Sequence, residues 1–151
     1  MQINVGCGEL RLDGYLNIDR YDDRADLVAD PMTLEYEDVD EVRMDHVLEH
    51  VAIRETGPLL HLLAGWLRSG GQMVVEVPDM EEMMAHPGPN WLTDIYGVQI
   101  HEGEFHRSGW TAESLVDALY LTGVKPEKVL RFRSTHPYRR DFPCLLVVAL
   151  K

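Results

Sequence analysis

The feature that most restricts what this chain can fold into is a series of short apolar runs, each halted by a small or acidic residue. The run at 3–5 stops at Gly6-Cys7-Gly8, the run at 15–18 at Asp19, and the run at 26–29 at Asp30-Pro31. Residues 41–44 lead into Asp45-His46, and 72–77, the strongest β signal in the chain, ends at Pro78-Asp79. Helix-like stretches separate the later runs. Leu59, Leu60, Leu63, Trp66 and Leu67 recur at spacings of three and four, after Gly57-Pro58 and before Gly70-Gly71. Thr111 reads as an N-cap, with Ser114 where a capping box would place Glu, and the helix it opens runs to Thr122 before Gly123. Runs at 129–132 and 144–150 are the last strands, joined through Arg139-Arg140-Asp141 as an antiparallel hairpin. Strands alternating with helices predict an α/β, doubly wound, Rossmann-like sheet, mostly parallel, with an antiparallel C-terminal edge hairpin. The 151 residues fit one domain, 1–151.

Two segments depart from this regular scheme. Only residues 9–15 separate Gly8 from the second run, whereas a parallel crossover ordinarily takes a dozen residues or more, so the first crossover helix is expected to be missing or reduced to a turn. Residues 80–110 show little periodicity but contain Trp91, Tyr96, His101, His106 and Trp110, a composition suited to a lid facing a substrate. The acid-rich stretch 35–41 reads as a solvated loop, and Arg131, Arg133, Arg139 and Arg140 read as a solvated hairpin or an anion contact.

The formal charge of −12 sets an unfavourable field for nucleic acid and for anionic lipid, so neither is an expected partner. Cys7 and Cys144 are too few for a disulfide framework, and no run of about 18 apolar residues occurs, which points to a cytoplasmic protein in a reducing compartment.

The chemistry starts at Gly6-Cys7-Gly8, where small residues after a first strand let a ligand approach the backbone. An acid ending the second strand, Asp19, can accept hydrogen bonds from ribose hydroxyls, and Asp30, ending the third, can accept one from an adenine amino group. His46 and His50 lie four apart, a metal-binding spacing if both sit on one helix, but the intervening Glu49 does not match a zinc-protease motif and no metal is expected.

With INVGCGE at 3–9, LNID at 16–19, VADPMTL at 28–34, HVLEHV at 46–51, LRSGGQMVVEVPD at 67–79 and HRSGWTAESLVDAL at 106–119, the chain resembles class I S-adenosylmethionine-dependent methyltransferases, in particular the small methyltransferase type 11 group. The resemblance implies S-adenosylmethionine as cofactor and a small-molecule acceptor, with an oxygen acceptor such as a sugar favoured. It places Gly6, Cys7 and Gly8 against the methionine part of the cofactor, Asp19 at the ribose, Asp30 and Met32 at the adenine, and His46 beside the donor methyl. His101 and His106, in the lid segment with Tyr96 and Trp110 as walls, are the expected catalytic bases. Asn4 and Leu10 stand where the family has an acid and a third glycine. The shortened start leaves the cofactor cleft open, to be closed by 80–110 or by a second copy of the chain. Two rival readings are a nicotinamide-dependent reductase, which uses the same glycine turn and ribose acid, and a domain that binds cofactor or partner without turnover.

Overall fold

A computed structural model describes residues 1–135 and 141–151. Its seven strands are β1 (Gln2–Val5), β2 (Leu16–Asp19), β3 (Leu27–Val28), β4 (Val39–Asp45), β5 (Leu67–Pro78), β6 (Lys125–Arg133) and β7 (Pro143–Leu150). They form one sheet in the order β3-β2-β1-β4-β5-β7-β6. β1 to β5 pair in parallel, while β7 enters antiparallel between β5 and β6, so the hairpin is present with β6 as its outer strand. Four helices follow the later strands: α1 (Ile53–Trp66), α2 (Met80–Ala85), α3 (Trp91–Tyr96) and α4 (Ala112–Tyr120). No helix among the described residues is long and apolar enough to cross a membrane.

The core lies on one face of the sheet. Ile3, Val5, Val42, Met44, Met73, Val75, Leu145 and Val147 share that face through the strand registers and pack with Leu60 and Leu63 of α1 and Leu115 and Leu119 of α4. The alternate positions carry Asn4, Asn17, Glu41, Arg43, Asp45 and Glu76, a polar set that accounts for the I-N-V and M-V-V-E-V alternation in the sequence. The two connections that would put helices on that second face, β1 to β2 and β2 to β3, contain no helix; the 3-10 turn at Pro31–Thr33, between β3 and β4, lies on the core face beside α1.

The first crossover is a turn, as its length predicted, and a polar network replaces the helix. Asn4 is buried and donates to Leu10 O (2.8 Å) and Asn17 Oδ1 (3.0 Å). Asn17 Oδ1 also accepts from Leu12 N (2.8 Å), and the Asn17 backbone and side-chain amides both donate to Asp26 Oδ2 at 2.9 Å. Asn4 thus has a structural task, fastening residues 9–15 to β1 and β2.

Several expectations need correction. α1 begins at Ile53, so Gly57 and Pro58 lie inside the helix: proline suits a first turn, which made Pro58 look like a start, and here it forgoes one interior hydrogen bond. The acid-rich stretch is not wholly a loop, because β4 starts at Val39 and Glu41 is buried, accepting from Tyr15 Oη and Gln72 Nε2, both at 2.5 Å. Segment 80–110 holds α2, α3 and a 3-10 turn at Glu102–Glu104; α2 is started by its cap, Asp79, which accepts from Glu82 N. Ser114 completes a capping box with Thr111 despite not being Glu, its hydroxyl accepting from Thr111 N at 2.9 Å. Arg131 and Arg133 pair with Glu81 and Glu82 of α2, while Arg139 and Arg140 lie outside the described residues.

Candidate active-site cleft

The carboxyl ends of β1, β2, β3, β4 and β5 open into one cleft of about 1320 Å³, at the point where strand order reverses between β1 and β4. It exceeds the roughly 300–1,000 Å³ usual for a single small ligand, which leaves room for a cofactor and an acceptor together. Gly6, Cys7, Gly8, Asp19, Asp30, Met32, His46, His101 and His106 all line it, although they are up to a hundred residues apart in the chain. Twelve carboxylate side chains and three arginines line it among the described residues, a field that favours a cation over a pyrophosphate.

The glycine turn is held from β2. Gly6 N and Cys7 N both donate to Ile18 O, at 2.7 and 3.1 Å, and Gly6 sits at φ +68 with Val47 against it. Gly8 sits at φ +45, and a Cβ there would meet nothing within 4 Å, so the backbone is bare toward the cleft. Cys7 is buried, and burial, with Asp19 beside it, pushes its thiol up to about 11, which leaves it protonated and without nucleophilic character at neutral pH. Asp19 accepts from Tyr21 N (2.7 Å) and Asp22 N (2.9 Å) through Oδ1 and from Gly8 N (2.9 Å) through Oδ2. A carboxylate offers about four acceptor positions, so one remains, on Oδ2. Asp30 caps the 3-10 turn by accepting from Met32 N (3.0 Å) and faces Arg20 at 3.4 Å, while Met32 is exposed at the cleft rim.

His46 does not share a helix face with His50: it follows β4 at φ +56 and precedes a 3-10 turn at Leu48–His50. It is 7% exposed and locked between two carboxylates, Nδ1 lying 3.0 Å from Glu49 Oε1 and Nε2 3.1 Å from Glu76 Oε1, with Cys144 Sγ at 3.5 Å. Burial opposes the imidazolium, but Cys144, Glu49 and Glu76 outweigh it and raise His46 to about 11. Both carboxylates are held below their ordinary range, since His46 outweighs the opposing effect of their burial. His46 is therefore a cation donating from both nitrogens, not a base.

The expected lid histidines behave differently from each other. His101 is exposed and caps the 3-10 turn at 102–104; Nδ1 accepts from Gly103 N (3.1 Å) and Nε2 faces Glu104 Oε1 at 3.5 Å, so both ring nitrogens are engaged. His106 is half-buried, edge-on to His50 with ring centroids 4.9 Å apart, and burial pushes it below the ordinary histidine value against the pull of Glu49. It is placed there by backbone stitching, Arg107 N and Ser108 N both donating to Glu49 O at 2.7 and 3.1 Å. Trp110 and Tyr96 do not wall the cleft: Trp110 is in the core with Nε1 donating to Ser108 Oγ, and the lid contributes Thr93, Asp94, Gly97 and Val98 instead.

Glu49 and Glu76 were missed as site residues. Glu76 had a signal in the sequence, a lone acid inside the apolar run 73–77, which is costly to bury without a charged partner. Glu49 had none, because its partners come from β4, from the turn it sits on and from residues 105–108.

No protein-family model matches the chain, and no curated protein matches it by sequence. Solved structures do. An S-adenosylmethionine-dependent methyltransferase from Archaeoglobus fulgidus superposes with a TM-score of 0.73 at 16% identity, over 99% of this chain and 85% of that one. The 1,6-didemethyltoxoflavin-N1-methyltransferase of Burkholderia thailandensis, with 1,6-didemethyltoxoflavin and S-adenosylhomocysteine bound, gives 0.70 at 16% identity, over 99% and 70%. The mitomycin 7-O-methyltransferase MmcR gives 0.69 at 14% identity over 99% of this chain, which spans 48% of that one. The chain thus has the fold of the class I S-adenosylmethionine-dependent methyltransferases.

Proposed function

We propose that the chain binds S-adenosylmethionine in this cleft and transfers its methyl to a small molecule, with an oxygen acceptor favoured. The observation that carries the reading is the meeting of the bare Gly8 backbone, Asp19 and Asp30 in an acid-rich cleft whose glycine turn leads into a turn rather than a helix. A nicotinamide dinucleotide rests its pyrophosphate on a helix N-terminus directly after that turn, and here residues 9–15 supply none. A sulfonium cation needs no such terminus and is favoured by the surrounding carboxylates. The fold neighbours include one N- and one O-methyltransferase, each for its own small molecule.

When bound, S-adenosylmethionine supplies an electrophilic methyl that an acceptor attacks in line. The chain's residues then act by position. The free acceptor site on Asp19 Oδ2 takes one ribose hydroxyl, and Asp30 with Met32 frames the adenine. His46, fixed between Glu49 and Glu76, forms the floor of the cleft where β4 ends. An oxygen acceptor gives up a proton as it is methylated, and the acceptor side of the cleft offers the His50–His106 pair for that task; His101 is occupied as a cap. Alignment at attack distance can lower the barrier by roughly 7–11 kcal/mol in favourable cases, and handling of the proton adds a factor of about 10² to 10⁴.

A methyl-transfer screen with labelled S-adenosylmethionine and hydroxylated small molecules tests the reading. With an acceptor in hand, His106→Asn is expected to lower kcat by about 10² or more at nearly unchanged S-adenosylhomocysteine affinity. Full turnover by that variant would remove His106 from the reaction.

A further inference from the structure

Glu49 is 2% exposed, and its two oxygens are treated unequally. Oε1 accepts from His46 Nδ1 at 3.0 Å, whereas Oε2 is buried with no hydrogen-bond partner among the described residues. An ionised oxygen left so is rare, because its lost hydration is not replaced. Two imidazoles stand around this carboxylate. His50 Nδ1 lies 3.2 Å from Phe105 O; a carbonyl only accepts, so Nδ1 donates there and Nε2, 4.0 Å from Glu49 Oε1, is the nitrogen open to a metal. His106 meets His50 edge-on, and one ligand atom from each of Glu49, His50 and His106 lies within 4.8 Å of the others.

We propose that Glu49, His50 and His106 bind a divalent first-row transition metal ion on the acceptor side of the cleft. Two neutral imidazoles and one carboxylate form the donor set of open, catalytic zinc sites, where a water or substrate takes the fourth position. A point equidistant from three atoms at the widest mutual spacing lies about 2.8 Å from each, against about 2.0–2.2 Å for zinc bonds, so shifts of under about 1 Å close the sphere. The outer support for such a site is already in place. His46 holds Glu49, Phe105 O fixes the His50 tautomer, and the Arg107 and Ser108 amides on Glu49 O fix where His106 stands. The neighbouring group His46, Glu76 and Cys144 is not a rival, because both His46 nitrogens donate to carboxylates and keep no lone pair for a metal.

Resting on the methyl-transfer reading, the open position takes the acceptor hydroxyl itself. With their lone pairs given to the metal, His50 and His106 no longer serve as the base; the metal–oxygen bond instead lowers that hydroxyl's pKa, its proton leaves to solvent, and the resulting oxyanion is held for attack. The acceptor class is then a hydroxyl compound whose second oxygen makes a fifth metal bond, such as an α-hydroxy acid or a vicinal diol.

The test is Co²⁺ titration of chelator-stripped protein, followed by visible d–d absorption, with the metal content measured after dialysis. One tightly held Co²⁺ per chain is expected, displaced by Zn²⁺. His50→Ala/His106→Ala, or His106→Ala alone if the double variant does not fold, should weaken binding at least 100-fold, and Cys144→Ser should leave it unchanged. Absence of tight Co²⁺ binding, unaltered binding in the histidine variants, or a thiolate charge-transfer band abolished by Cys144→Ser would each overturn the site. S-adenosylhomocysteine affinity, read on the stripped protein, reports separately on the methyl-transfer reading.

Discussion

Replacing Gly6 by alanine attacks the glycine turn at a position where two costs can be separated. At φ +68 a side chain enters the left-handed region, a cost of about 1–2 kcal/mol. The new Cβ would also stand 2.4 Å from Val47 Cγ2 and 3.0 Å from Cγ1. Val47 is β-branched and half-buried, so relief needs a strained rotamer or a shift of the chain between β4 and the Leu48–His50 turn, at about 1–3 kcal/mol. The total is about 2–5 kcal/mol, or a fall in Tm of about 4–20 °C at the 2–4 °C per kcal/mol usual for this size. Gly8→Ala is the control, since Gly8 is also left-handed at φ +45 but a Cβ there meets nothing, and its loss should stay near 1–2 kcal/mol. Calorimetric melting of Gly6→Ala, Val47→Ala and the double variant measures the clash as a coupling energy, expected at about 1–3 kcal/mol with the second substitution rescuing the first. Equal destabilisation by Gly6→Ala and Gly8→Ala, or no coupling to Val47, would refute this account of the turn.

Two further predictions concern the carboxylates of the cleft. Asp19→Ala should lower S-adenosylhomocysteine affinity by about 1.5–3 kcal/mol in titration calorimetry and also lower Tm, because it frees the Gly8, Tyr21 and Asp22 amides; unchanged affinity would sever Asp19 from the ligand. His46 keeps its proton in the folded chain up to about 11, so in chelator-containing buffer the stability it contributes is full below its ordinary value near 6.5 and is lost as pH rises toward 11. His46→Gln should cost about 3–5 kcal/mol at neutral pH by stranding Glu49 and Glu76, and should flatten that alkaline decline in denaturant melts; equal pH slopes for both proteins would contradict it.

The strands were legible because one face of the sheet is polar, so I-N-V, L-N-I-D and V-R-M-D alternate plainly and each carboxyl end is marked by the residue that turns toward the cleft. The glycine turn and the two acids after it were legible for the same reason. What the sequence hid were features made by contacts between distant segments. Val39 and Glu41 look solvated until Leu67 and Gln72 of β5 are laid beside β4, which removes them from water. Asn4 read as a departure from an acidic position and is, with Asn17, a brace for the missing crossover helix. His46, taken for a cofactor-side residue, is bound to two acids, one three residues away and the other thirty, the latter from the strongest strand. His101 and His106 carried the same local signal, and the stitching of 106 to Tyr96 O and of 107 and 108 to Glu49 O separates the half-buried one from the cap.

The central claim, that the cleft above Gly8 is a nucleoside–sulfonium site, is tested most directly by titrating S-adenosylhomocysteine into the wild type and into Gly8→Val in a calorimeter, with NAD as the competitor. The wild type is predicted to bind one S-adenosylhomocysteine per chain and not NAD, and Gly8→Val to lose at least 10-fold in affinity while remaining folded at a lowered Tm, since the added side chain carries the left-handed strain but enters open cleft and meets no protein atom at its Cβ. Binding of NAD without S-adenosylhomocysteine, or equal S-adenosylhomocysteine affinity in both proteins, would contradict it.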